Sequence, residues 1–168
     1  MKQLYDQSSF VCSKLVTKKY STSFSLAVKM LSPKIREAIY SIYAFVRFAD
    51  EIVDSFHGYE KEKLLNRYES DFYKAMDEGI SLNPILNSFI LTVKKYQITD
   101  DLIQHFLKSM RSDLQNTTFK TREEYESYIY GSADVVGLMC LKVFVKGDQD
   151  EYIRLKESAM RLGSAFQK

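Results

Sequence analysis

The stretch Tyr43-Ala44-Phe45-Val46-Arg47-Phe48-Ala49-Asp50-Glu51-Ile52-Val53-Asp54 decides the fold of this chain. Leading into it and through it, apolar residues recur at helical spacing at Ile35, Ile39, Ile42, Phe45, Val46, Ala49, Ile52 and Val53, the mark of a core-facing helix. A second stripe runs beside the first. Tyr43, Arg47, Asp50 and Asp54 stand four, three and four residues apart and project from one face. Helix geometry sets the two aspartates about 5–6 Å apart at Cβ, close enough to share metal ions. Hard oxygen ligands of this kind suit Mg²⁺, which binds through one or two carboxylates and completes its shell with water and substrate phosphate. Arg47, one turn before Asp50, offers a fork for phosphate oxygens. Taken alone, the stripe reads as an exposed acidic helix end, and the rest of the chain has to decide.

Outward from this helix the punctuation is regular. Ser32-Pro33 opens it, with serine as N-cap and proline in the first turn, and His57-Gly58 closes it. Residues 3–19 form a preceding helix with Leu4, Val11, Leu15 and Val16 on one side. The hydroxyl-rich break Tyr20-Ser21-Thr22-Ser23-Phe24 caps a short helix ending near Met30. Downstream, residues 60–78 repeat an apolar face closed by Gly79, Asn83-Pro84 opens a further helix, and Thr99-Asp100 another through Leu114. Thr121-Arg122-Glu123-Glu124 is a capping box that starts a long helix to about Lys146. A last helix follows Gly147-Asp148 and still runs at Lys168. The fold class is all-α, and residues 1–168 read as one domain.

Composition agrees. The 168 residues hold six Gly and two Pro, with 45% hydrophobic and 27% charged residues, as in a globular helical protein. Twelve Tyr and eleven Phe fit a packed aromatic core or an aromatic-lined cavity equally well. A net charge of +2 gives no reason to expect nucleic acid as a partner. Cys12 and Cys140 are too far apart for a disulfide framework and read as small buried side chains. The N-terminus lacks a signal-peptide pattern, and no span near twenty apolar residues is evident. A cytoplasmic protein is therefore expected, any membrane contact being peripheral.

The helix from Glu123 contains Tyr128-Ile129-Tyr130-Gly131-Ser132-Ala133-Asp134-Val135-Val136-Gly137. Interior glycines cost about 1 kcal/mol against alanine, so Gly131 and Gly137 need a compensating reason. Spacing favours close packing of a second helix on the Ala133/Gly137 face; an apolar slot for a hydrocarbon is the other reading. Met110-x-x-Asp113-Leu114 reads by itself as a surface helix end. Neither His57 nor His105 belongs to the Glu-x-x-His pairs of a di-iron bundle. There is no Gly-rich phosphate loop and no nucleophile motif.

Taken in order, five pieces resemble the squalene/phytoene synthases, the head-to-head (1′–1) prenyl transferases. They are Tyr20-Ser21-Thr22-Ser23-Phe24, Tyr43-x-x-x-Arg47-x-x-Asp50-Glu51-x-x-Asp54, Met110-x-x-Asp113-Leu114, Tyr128-x-Tyr130-Gly131-x-Ala133-x-x-Val136-Gly137 and Leu162-Gly163-x-Ala165-Phe166-Gln167. The resemblance implies an isoprenoid-synthase fold around a central cavity. It makes Asp50 and Asp54 the Mg²⁺ ligands of a first acidic motif, with Mn²⁺ as a substitute. Glu51 stands where many relatives have a second Asp. Arg47 and Tyr43 match residues near the diphosphate, and Ser21 and Ser23 its hydroxyl contacts. Tyr128 matches a tyrosine beside the carbocation. Phe24, Val136, Gly137, Cys140 and Gly163 would line the hydrocarbon tunnel, with Gln167 near its diphosphate end. Asp134 departs from the small residue of many relatives.

The implied reaction joins two prenyl diphosphates through a cyclopropylcarbinyl diphosphate. Phytoene from two geranylgeranyl diphosphates is favoured over a squalene-type product from two farnesyl diphosphates, because nothing suggests an NADPH-dependent step. Relatives continue after Gln167 into a second Asp-x-x-x-Asp motif. The 168 residues are therefore expected to be the N-terminal part of a longer synthase, unable alone to complete the reaction. The competing reading is a non-catalytic helical module that binds lipid.

Overall fold

The computed structural model describes residues 2–115 and 121–167, the side chains of residues 165–167 excepted. Among the described residues there is no strand. The helices are α1 (Lys2–Tyr20), α2 (Thr22–Met30), α3 (Pro33–Asp54), α4 (Lys61–Glu78), α5 (Pro84–Tyr96), α6 (Asp100–Gln115), α7 (Arg122–Ile129), α8 (Val135–Val145) and α9 (Gln149–Gln167). A π-helical turn, Tyr130–Asp134, joins α7 to α8.

The stops and starts follow local chemistry. Ser21 Oγ accepts from the Phe24 N–H at 3.2 Å, and Asn83 Oδ1 from Ile85 and Leu86 at 3.0 and 3.4 Å. Thr121 Oγ1 accepts from Glu124 at 3.1 Å. Ser32 makes no side-chain cap bond, so Pro33, with its preset φ, carries that start. Gly79 terminates α4 at φ +76°. Helix α3 ends a turn earlier than its glycine suggests: the C-cap is Ser55, and Gly58 (φ +90°) lies in the following turn.

The centre of the bundle is α3, which packs on α1, α2, α4, α5, α6 and α8. Its apolar stripe is buried as the periodicity predicts, apart from the half-buried Val46. Phe45 is fully enclosed. Its ring stacks on Phe89 of α5 at 3.9 Å and meets Tyr68 and Phe72 of α4 at 5.4 and 5.5 Å, and Phe106 of α6 at 5.8 Å. Part of the aromatic content therefore builds the core. The Tyr68 hydroxyl donates to the Phe45 carbonyl at 3.1 Å, satisfying its buried polar end.

Helix α1 lies the other way round from its sequence expectation. Leu4, Val11 and Leu15 are 70%, 64% and 57% exposed, and the inward face is Ser9, Ser13 and Thr17. Small hydroxyl side chains let α1 approach α3 and α5 closely, and each finds a partner. Ser13 and Ser88 share a bond at 2.7 Å, Asn87 Nδ2 donates to Ser9 Oγ at 3.1 Å, and Thr17 donates to the Ser13 carbonyl at 2.9 Å. Cys12 and Cys140 are free thiols, half-buried rather than enclosed.

The run Arg122–Val145 is long and apolar enough to cross a membrane, at hydropathy 1.5, although no such span was evident in the sequence; 56% of that window is buried inside the fold. Its glycines mark close approaches. A Cβ on Gly131 would lie 2.7 Å from the His105 carbonyl oxygen of α6, and one on Gly137 2.8 Å from the Ala159 carbonyl oxygen of α9. On α9, a Gly163 Cβ would stand 2.6 Å from the Ala133 carbonyl oxygen. Helices α8 and α9 thus cross backbone against backbone, the packing that the Ala133/Gly137 spacing favours. Gly163→Ala gains helix propensity but must push the helices apart, so a net loss of about 1–2 kcal/mol is expected. Urea unfolding of the two proteins measures it.

Candidate active site

Helix α3 presents Tyr43, Arg47, Asp50 and Asp54 on one face, and neighbouring elements close around it. From the α1–α2 junction, Tyr20 lays its ring 4.7 Å from the Arg47 guanidinium carbon. Phe24 of α2 stacks on Tyr43 at 4.8 Å, with the Ser21 hydroxyl near the Tyr43 phenol. Ser23 is exposed in the first turn of α2.

Across from α3, α6 brings Asp113 into the field of both α3 aspartates. Tyr128 of α7 stands beside Asp113. Burial pushes the Asp50 carboxyl up to about 6; Arg47 opposes this, and Asp54, Asp113 and Glu51 reinforce it. Burial likewise lifts Asp113 to about 6, against the polar influence of Tyr128 and with repulsion from Asp54. Burial, then the Asp113 charge, raises the Tyr128 phenol, which stays protonated at neutral pH as a donor.

These shifts have a stability consequence. A carboxyl whose folded pKa is raised from 3.8 to about 6 stabilises the fold fully below about pH 4 and loses that contribution as pH rises through about 6. In metal-free buffer at pH 7.5, Asp50→Asn is therefore expected to stabilise the fold by about 1–2 kcal/mol. The gain should vanish at pH 4. Urea titrations of both proteins with EDTA at the two pH values check it.

The donor set fits a hard divalent cation. Asp50, Asp54 and Asp113 carry oxygen donors of like charge, and a cation would relieve their mutual repulsion. Among the described residues no group of three or more His, Cys, Asp or Glu lies at metal-holding spacing. The chain thus offers carboxylates in ones and twos, with the other places left for water and phosphate oxygens.

Residues 17–168 match the Squalene/phytoene synthase family. The chain belongs to that family. It is 26% identical over 144 residues to phytoene synthase 1, chloroplastic, of Solanum lycopersicum, covering 85% of this chain and 34% of that protein. Phytoene synthase of Pseudescherichia vulneris is 29% identical over 156 residues, covering 88% of this chain and 49% of its own length. The chain therefore spans half or less of these curated relatives. A solved dehydrosqualene synthase superimposes with a TM-score of 0.83 at 25% identity, over 98% of this chain and 56% of that one. A squalene synthase from Alicyclobacillus acidocaldarius gives 0.83 at 22% identity, over 98% and 60%. The fold is the all-α isoprenoid-synthase fold of this family.

Of the residues that the family resemblance singles out, Ser21, Phe24, Tyr43, Arg47, Asp50, Asp54 and Tyr128 gather around the α3 face. Gly137 and Gly163 meet instead at the α8–α9 crossing, where neighbouring backbone takes the place of their missing side chains, and Val136 and Cys140 of α8 pack against the hydrophobic core. Gln167 lies on α9, its side chain outside the described residues. Two features were missed. Asp113 was visible in Met110-x-x-Asp113-Leu114 but carried no role, because only the packing of α6 on α3 brings it to the aspartates. Glu51, which stands where many relatives have a second Asp, turns to Arg47 at 2.6 Å. Beside Tyr128, between α6 and α7, opens a cleft of about 400 Å³ whose walls include Lys108, Ser112 and Ser127.

Proposed function

We propose that this chain is the diphosphate-binding part of an enzyme that condenses two prenyl diphosphates head to head (1′–1). The specific reaction we assign is two geranylgeranyl diphosphates to phytoene through a cyclopropylcarbinyl diphosphate, without NADPH. The observation that carries it is the convergence of Asp50 and Asp54 from α3 with Asp113 and its partner Tyr128 from α6 and α7. The relatives' names, phytoene synthase, support the C20 substrate. The second reading, two farnesyl diphosphates joined to a squalene or dehydrosqualene, is favoured by the two solved neighbours.

Asp50 and Asp54 would hold Mg²⁺. The ion, when bound, neutralises the departing diphosphate. Arg47 adds a cationic fork and Tyr43 and Ser21 hydrogen bonds to the same group. Tyr128, kept protonated and set beside Asp113, places its ring beside the reacting carbon, where a π-face stabilises positive charge. Of Val136, Gly137, Cys140 and Gly163, Val136 and Cys140 are left to line the hydrocarbon path, because Gly137 and Gly163 are taken up by the close backbone packing of the α8–α9 crossing. Greasy substrates and products place the work beside a membrane surface, with peripheral contact and no nucleic-acid partner.

The test is product analysis of the complete gene product with labelled geranylgeranyl and farnesyl diphosphates and Mg²⁺. A C40 hydrocarbon from the first is expected; C30 product alone would replace our assignment with the second reading.

A further inference from the structure

Arg47 is not free to meet a ligand. Its terminal nitrogen donates to Glu51 at 2.6 Å, one turn along α3. The Tyr20 ring covers the guanidinium at 4.7 Å, in the range of cation–π attraction. In turn the Glu51 carboxyl is held below the usual carboxylate range, with the Arg47 contact as the chief cause. One atom is left out: Arg47 Nε is buried and, among the described residues, has no hydrogen-bond partner. A buried donor without an acceptor carries a penalty that a better partner would remove. Helix spacing turns Glu51 to the flank of the Asp50/Asp54 face, so its carboxylate serves the arginine.

We propose that Glu51 is a built-in competitor for Arg47, holding the guanidinium under Tyr20 and releasing it to an incoming diphosphate. The inference rests on the diphosphate reading above and adds the residue that regulates it. A diphosphate presents paired anionic oxygens that can satisfy the guanidinium edge bidentately, Nε included once the side chain swings out. Glu51, engaged through one terminal nitrogen, satisfies less of it. Glu51 is thus a positioning residue that sets how much of the arginine's affinity reaches the ligand.

The probe is inorganic pyrophosphate with Mg²⁺, followed by calorimetry on the 168-residue chain, with circular dichroism to verify folding. Glu51→Gln should bind it about five-fold more tightly than the parent, because a partly screened ion pair of this kind no longer has to be broken. Glu51→Asp, too short to keep the same contact, should fall between. In an Arg47→Met background Glu51→Gln should change affinity less than two-fold. A five-fold gain there as well would mean that Glu51 acts through overall charge alone, overturning the proposal. Equal binding by parent and Glu51→Gln overturns it while leaving the diphosphate site intact. No pyrophosphate binding by any variant overturns the diphosphate reading and this proposal together.

Discussion

The double replacement Asp50→Asn, Asp54→Asn is expected to abolish Mg²⁺-dependent binding of geranylgeranyl thiodiphosphate, raising Kd by about 100-fold or more. Loss of outer-shell partners alone weakens metal sites about 10–100-fold, and here the ligands themselves lose their charge. The thio analogue is chosen because it resists ionisation, so binding is read without turnover. The fold should survive. Asparagine matches aspartate in shape, Asp54 is exposed, and Asp50 sits in a repulsive field that the change relieves. Higher stability with lost metal-dependent affinity is the pattern of a site strained for function. A non-catalytic helical module that binds lipid through apolar contacts would gain the stability and keep its affinity for the prenyl chain. Calorimetry with and without Mg²⁺, beside a melting curve, separates the two.

The second large effect is on the core. Phe45→Ala should cost about 3–5 kcal/mol, a large part of the roughly 5–15 kcal/mol that holds a typical domain together. Phe45 is fully buried and its ring meets four aromatic neighbours on three other helices. No small rotation of one side chain can refill that space. Phe45 also lies two residues from Arg47 on the helix that carries the aspartates, so loosening it loosens the site. Urea unfolding followed at 222 nm should show the midpoint falling by about 2 M for a slope near 2 kcal/mol/M. Phe45→Leu should lose less than half as much. A loss below about 1 kcal/mol for the alanine variant would mean that α3 is not the centre of the bundle.

Much of this architecture was legible in the residues, and the exceptions have physical causes. The α3 stripe and its functional face are properties of one helix, fixed by a period of 3.6. Caps at Ser21, Asn83 and Thr121 depend only on neighbours in sequence. Helix α1 misled because periodicity reports where apolar residues lie, not which face a neighbour covers. Its Ser9/Ser13/Thr17 face wins through hydroxyl partners on α5 and α3 that no local pattern reveals. The π turn left only a trace, the costly Gly131, which made sense once α6 was seen against it. Asp113 and Tyr128 are far from Asp50 in sequence, and only tertiary packing joins them. The Arg47–Glu51 pair was within reach of an i,i+4 argument, but the phosphate role given to Arg47 hid it.

A divalent cation and a diphosphate are expected to meet at the acidic face between α3 and α6. Paramagnetic broadening tests it most directly: ¹⁵N-labelled chain, inorganic pyrophosphate, and Mn²⁺ added in small steps. Amide signals of residues 50–54 and 112–114 should disappear first, with Tyr128 close behind, and this order should require pyrophosphate. Broadening that begins elsewhere, at the acidic start of α6 around Asp100 and Asp101 for example, or that spreads evenly over the surface carboxylates, would contradict it.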